Sequence, residues 1–177
     1  GGWRFDEEID AYDQRYYREW SHEIPPLRFA GSVLELDLHH AILPPTTRVS
    51  PATALLWPRL RQIAGTSWCT LAAEDQILHM AAHVFIDSDC TSCLRDLVDI
   101  NTLLLHRCAT EPDFPHTLTA RAQELNLAAP LSYALSFVDA WFTHQPDQNH
   151  TLNQIRNACV TQFKPSAWVL RLASQTL

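Results

Sequence analysis

The apolar positions divide the chain into two regimes that meet at Pro44-Pro45. Before that point, Ile9, Tyr12, Tyr16 and Trp20 recur at helical spacing in a charged, Tyr-rich stretch, predicting a surface helix over about 6–20 that Pro25-Pro26 closes off. Leu27–Ala30 and Val33–His39 then predict two short strands joined by a tight turn at Gly31-Ser32. Alternation in the second strand puts Leu34, Leu36 and Leu38 on one face and Glu35, Asp37 and His39 on the other. After Pro45 nearly every segment carries the i, i+3, i+4 pattern of packed helices. Ser50-Pro51 predicts a helix start, with the helix running to about Gln62 and ending at Gly65. A second helix is expected over 72–85, with Glu74 and Asp75 favouring its positive end. A third, over 92–106, is apolar around so much of its circumference that it should lie at the centre of the bundle. Further helices are expected over 116–125, 130–143, 151–162 and 166–174, separated by Pro130, Pro146 and Pro165. The fold class is therefore α+β, mainly α: a short antiparallel strand pair near the N-terminus (residues 1–45) followed by a helical bundle (residues 46–177).

Composition narrows the function classes. A chain of 177 residues with 46% hydrophobic content can build a real core, and only four glycines favour helices over a turn-rich sheet protein. A formal charge of -7 argues against strong nucleic-acid binding, which begins with a surplus of Lys and Arg. Five cysteines, an odd number without a signal-like start, suit a reducing compartment, so a cytoplasmic location is expected. No apolar run approaches the ~20 residues that a membrane span needs.

Leu34-Glu35-Leu36-Asp37-Leu38-His39-His40 is the most informative segment, because it sets two carboxylates and an imidazole on one side of a short strand. On pattern alone, a solvated face of an edge strand accounts for these residues equally well. Several landmarks fall in an order that resembles the uncharacterised nucleotidyltransferases related in fold to DNA polymerase beta. His22 to Pro26 resembles that family's His-x-x-Pro-Pro lead into a hairpin, and Leu36-Asp37-Leu38-His39 resembles its acidic-Leu-His strand. Leu78 to His83 is similar to its apolar helix ending in His, and Leu94 to Ile100 to its Leu-Arg-x-Leu-x-Asp-Ile segment. Gly2-Trp3 looks like the end of the helix that follows the family's metal-binding strand, so the resemblance covers about residues 1–145.

The resemblance implies transfer of a nucleoside monophosphate from a nucleoside triphosphate to an unknown acceptor, with magnesium (Mg2+) held by three acids. Asp37 matches the third of these, with Glu35 and His39 as near neighbours of the site. Arg95 either grips phosphate oxygens or pairs structurally with Asp99 one turn away. The family's Gly-Ser turn and Asp-x-Asp strand have no counterpart in these residues, since Asp87-Ser88-Asp89 follows a helix and reads as loop and cap. The chain is thus expected to be a fragment of a longer protein or to have lost activity. Two other readings stand beside this one. One is a non-enzymatic helical module whose exposed strand edge completes a protein partner's sheet. The other is a zinc-stabilised domain using His79, His83, Cys90 and Cys93, which spell H-x3-H followed by C-x2-C; separate structural roles for these residues are the alternative.

Overall fold

Asp10 determines where the first helix begins. In the computed structural model, which describes residues 2–5, 8–87, 93–142 and 155, its carboxylate accepts the Asp13 backbone N–H at 2.8 Å and Asp13 answers to the Asp10 N–H at 3.4 Å. This reciprocal box satisfies two otherwise orphaned donors and starts α1 (Ala11–Glu19). No residue of α1 is buried. Tyr12, Tyr16 and Trp20 are all exposed, with Tyr16 packed edge-on against Tyr17 and Trp20, so they form a surface cluster and not a buried seam.

Three strands make an antiparallel sheet in the order β1 (Trp3–Phe5), β2 (Leu27–Phe29) and β3 (Glu35–Leu36). The turn between β2 and β3 is made by Gly31, whose φ of 77° is open to a residue without a Cβ. The expected hairpin is present, while β1 is a correction: Trp3 and its neighbours pair with β2 and are not the end of a helix. Three residues are too few for a period to show. The register Trp3↔Phe29 and Phe5↔Leu27↔Leu36 collects Trp3, Phe5, Leu27, Phe29 and Leu36 on one side of the sheet and Arg4, Arg28 and Glu35 on the other.

These elements belong to one compact unit, Gly1–Ser50; a second comprises Pro51–Leu177. The second opens differently from expectation. In place of a helix over 51–62 it has two 3-10 turns, Thr53–Leu55 and Trp57–Arg59, then a small hairpin of β4 (Arg61–Gln62) and β5 (Cys69–Thr70). Pro58 removes a donor that an α-helix would use, and Gly65, at a φ of 75°, lets the chain reverse where a helix end was expected.

The helices that follow are α2 (Ala73–Ala82), α3 (Cys93–Thr110), α4 (Phe114–Glu124) and α5 (Ala128–Phe142). A π-helical turn, His83–Asp87, extends α2. The expected helices over 151–162 and 166–174 lie outside the described residues, apart from Ile155. α2 packs against α3, α4 and α5. Its Ile77, Leu78, Ala81 and Ala82 are fully buried, as are Leu97, Ile100, Leu118 and Leu135 on the helices it packs against, each large side chain contributing ~1.5–3 kcal/mol of burial. α3 is less central than its composition suggested: it buries Leu97, Ile100 and Leu104 but leaves Leu94 and Val98 exposed. α2 and α5 occupy the middle.

One ion pair lies within this core. Arg121 of α4 donates through Nε to Asp75 Oδ1 at 2.6 Å and through Nη2 to Asp75 Oδ2 at 3.1 Å, with both side chains at most 1% exposed. Its remaining donors reach Glu124 at 2.7 Å and the Leu55 carbonyl at 2.8 Å, tying α4 to α2 and to the first 3-10 turn. Burial alone would lower the Arg121 pKa, but the hydrogen bonds and charges of Asp75 and Glu124 outweigh it and hold the guanidinium above its ordinary value. Asp75, expected only to favour the helix dipole, is therefore the anchor of this network. α4 ends on Asn126, at a φ of 59°, with Leu127 N–H donating to Ala122 O and Asn126 N–H to Gln123 O, the paired bonds of a Schellman cap.

Two stability predictions follow from these contacts. Arg121→Met leaves the Asp75 carboxylate buried without its cation and should cost about 3–5 kcal/mol in denaturant unfolding, whereas restoring neutrality with Asp75→Asn in the same chain should recover part of that loss. Asn126→Ala removes the short polar side chain that lets Asn tolerate the left-handed position and should cost ~1 kcal/mol, while Asn126→Gly should be neutral or slightly stabilising.

Candidate functional site

The hairpin carrying the acidic strand does not pair evenly along its length. Leu27 faces Leu36 and Arg28 faces Glu35, yet nearer the open end Glu23 faces His39 and Ile24 N–H donates to Leu38 O at 3.0 Å. Between these stretches Pro25 and Pro26 on one side stand opposite Asp37 alone on the other. Neither proline has an N–H to give, so the ladder breaks there and one extra residue is absorbed, as in a β-bulge. Beyond the break the strands are clamped again, His40 N–H and Ala41 N–H both donating to His22 O at 2.8 and 3.1 Å. His40 Nε2 also lies 3.2 Å from the Tyr17 carbonyl oxygen, linking this end of the hairpin to α1.

The three sequence-predicted residues on this segment have different surroundings. Glu35 is engaged by Arg28, whose Nη2 lies 2.9 Å from its Oε2. Asp37 is exposed, and among the described residues its carboxylate has neither an ion-pair partner nor a hydrogen bond. His39 Nε2 sits 3.3 Å from Glu23 Oε2, and its ring meets that of buried His22 edge-on with centroids 4.8 Å apart. The residues that sequence reasoning missed are Arg28, Glu23 and His22 as site neighbours. The signal for Arg28 was its place opposite Glu35 across a tight turn; for Glu23 and His22 it was hidden by the two-for-one offset, which shifts the pairing by one residue.

A concavity of ≈ 490 Å³ in the same unit is lined by Phe5, Ile9, Tyr17, Arg18, Ile24 and Pro25 among others. Its volume falls in the range of small-molecule sites. Pro25 belongs both to its wall and to the break opposite Asp37.

Elsewhere the candidates are more dispersed. Arg95 and Asp99 are both exposed on α3, and among the described residues no ion pair joins them, so the expected pair is not made. His79 and His83 stack one turn apart with ring centroids at 6.4 Å, and Cys93 begins α3, but Cys90 of that zinc set lies outside the described residues. Cys69 and Cys108 are free thiols, and burial raises the pKa of Cys108. Among the described residues no helix is long and apolar enough to cross a membrane.

A family model described as an uncharacterised nucleotidyltransferase matches residues 1–143, which include the whole hairpin, α2, α3, α4 and α5. The chain belongs to this nucleotidyltransferase family. Neither curated proteins nor solved structures yield a match. Membership agrees with the order of landmarks from His22 through Ile100, and it draws attention to the hairpin as the part of this nucleotidyltransferase-family chain where carboxylates gather.

The Arg28–Glu35 pair is half-exposed on both sides, and exposed pairs of this kind are worth little. A double-mutant cycle with Arg28→Gln and Glu35→Gln should give a coupling of roughly 0.2–1 kcal/mol. A coupling several times larger would mean that the pair is held in a far drier setting than its exposure indicates.

Proposed function

We propose that the chain takes part in transfer of a nucleoside monophosphate from a nucleoside triphosphate to a hydroxyl-type acceptor, with Asp37 as the third carboxylate of a magnesium site. The observation that carries this reading is the contrast along one strand: Glu35 and His39 are engaged by neighbours, while Asp37 presents an uncommitted carboxylate. Its donor chemistry fits, because magnesium takes hard oxygen ligands and near-octahedral geometry. A single carboxylate supplies only a fraction of that shell, so Asp37 would share the ion with further acids, the nucleotide and water. When bound, magnesium would neutralise triphosphate charge and favour deprotonation of the attacking hydroxyl.

The chain's own groups would do the positioning. Arg4 and Arg28 are cross-strand partners on the charged side of the sheet, where guanidinium groups can meet phosphate oxygens. Glu35 holds Arg28 in place, and the closely clamped backbone around Glu23 and His39 fixes the strand that bears Asp37. The concavity lined by Phe5, Tyr17 and Arg18 is large enough for a nucleoside and offers rings on which a base can stack. The thiols of Cys69 and Cys108, free of disulfides, support a cytoplasmic location.

A second reading is favoured by the other side of the sheet, where Trp3, Phe5, Phe29 and Leu36 are all at least 39% exposed. An apolar sheet side of this kind suits a protein partner. That reading predicts association in the absence of nucleotide.

The test is ligand-dependent stabilisation, measured on the longest natural chain containing these residues. Nucleoside triphosphate with magnesium at a hundredfold excess over Kd should stabilise it by about 2.7 kcal/mol, seen as a rise in Tm. Asp37→Asn should abolish that rise, whereas Asp99→Asn, on exposed α3, should keep it. Equal stabilisation of the Asp37→Asn and parent proteins would refute the role given to Asp37.

A further inference from the structure

The same break that exposes Asp37 gathers a second set of ligands on its far side. His22, Glu23 and His39 each offer one ligand atom, and these atoms lie within 4.8 Å of one another. Glu23 and His39 are direct cross-strand partners, and the His22 carbonyl is gripped by two N–H groups from the opposite strand. Glu23 N–H is further tied to Ser21 Oγ at 3.3 Å. The three side chains therefore project from backbone that is fixed on both strands, and the site does not have to be assembled from mobile loops.

We propose that His22, Glu23 and His39 form a transition-metal site, best suited to zinc, distinct from the magnesium site assigned to Asp37. Donor type makes the distinction. Two imidazoles and one carboxylate match zinc, and imidazole suits zinc, copper, iron and nickel where magnesium prefers oxygen. Distance supports it too: a tetrahedron with bonds of ~2.0–2.1 Å has ligand atoms ~3.3 Å apart, and His39 Nε2 is 3.3 Å from Glu23 Oε2. The rings of His22 and His39 have centroids 4.8 Å apart and planes inclined by 64°, and one nitrogen of each lies within 4.8 Å of the other and of a Glu23 oxygen. Three protein ligands leave a fourth position for water or substrate.

Such an ion would staple the two strands immediately beyond the Pro25-Pro26 break, replacing the Glu23–His39 contact with bonds from both residues to one centre. Its effect would be on the hairpin end bearing Asp37, which would become more rigid.

The experiment is zinc titration by calorimetry on protein prepared without a polyhistidine tag and stripped with a chelator, repeated with cobalt as a spectroscopic probe. The expected result is one saturable equivalent with a cobalt visible spectrum of tetrahedral intensity. Glu23→Gln and His39→Gln should each weaken zinc binding by at least about tenfold, since even loss of an outer-shell partner costs 10–100-fold. Cys93→Ser, which removes a donor from the competing His79, His83, Cys90 and Cys93 set, should leave it unchanged. Because His22 is buried and its replacement risks unfolding, its role is read from zinc-dependent shifts of its ring resonances in the intact protein. The proposal is overturned by absence of saturable zinc binding, by undiminished binding in the Glu23→Gln/His39→Gln double variant, by loss of binding in Cys93→Ser, or by His22 resonances that ignore zinc.

Discussion

Two prolines opposite one aspartate set how the hairpin of the first unit pairs. A hairpin whose backbone could pair throughout would bury its donors and acceptors in a continuous ladder. Pro25 and Pro26 prevent that, because neither has an N–H, and the strand responds by taking up an extra residue against Asp37. What looks like a defect of pairing separates two differently built neighbourhoods. On the turn side, Arg28 and Glu35 face each other and satisfy one another's charge; on the open side, Glu23 and His39 meet beside buried His22. Among the described residues Asp37, at the break itself, has no cross-strand side chain of opposite charge to absorb it.

The second unit is stabilised by a different device. Its helices bury apolar stripes in the usual way, but Arg121 and Asp75 place a fully desolvated charge pair among them. A buried pair of this kind is costly to break and weak evidence of net stability, and its geometric requirement is strict. Four hydrogen bonds from one guanidinium fix α4, α2 and the turn at Leu55 relative to one another. That turn precedes the small hairpin of β4 and β5, whose residues are exposed throughout. The arrangement accounts for a rigid bundle with an irregular entry, where Pro58 denies the chain an ordinary helix.

Much of this was legible in the residues. Ile77, Ala81 and Val84 at helical spacing announced a buried helix face and Gly31-Ser32 announced a tight turn, while the Leu34–Leu38 alternation announced a strand of which only Glu35–Leu36 pairs as one. The entry to the second unit misled because Ser50-Pro51 and a run of leucines imitate a helix start, while Pro58 cancels it only if its missing donor is weighed above the apolar spacing. α3 misled in the opposite sense: its leucines surround the helix, yet Leu94 and Val98 stay exposed, since periodicity counts apolar residues without knowing what covers them. Family resemblance pointed to Asp37 with Glu35 and His39 beside it, and gave no site role to His22, Glu23 or Arg28. His22, Glu23 and Arg28 are up to seventeen positions from their partners, and the offset at the prolines defeats a simple count of cross-strand pairs. Arg121 and Asp75, 46 positions apart, carry no local signal at all.

The central claim is that the break in the hairpin presents the Asp37 carboxylate to a hard divalent ion in the company of nucleotide. Manganese, which shares magnesium's preference for oxygen, broadens the NMR signals of nearby amides and so tests this directly. Titrated with a non-hydrolysable nucleoside triphosphate, it should broaden the amides of Leu36, Asp37 and Leu38 first, with that pattern lost in Asp37→Asn and kept in Glu23→Gln. Broadening centred anywhere else, or unchanged when Asp37 is replaced, would contradict the claim.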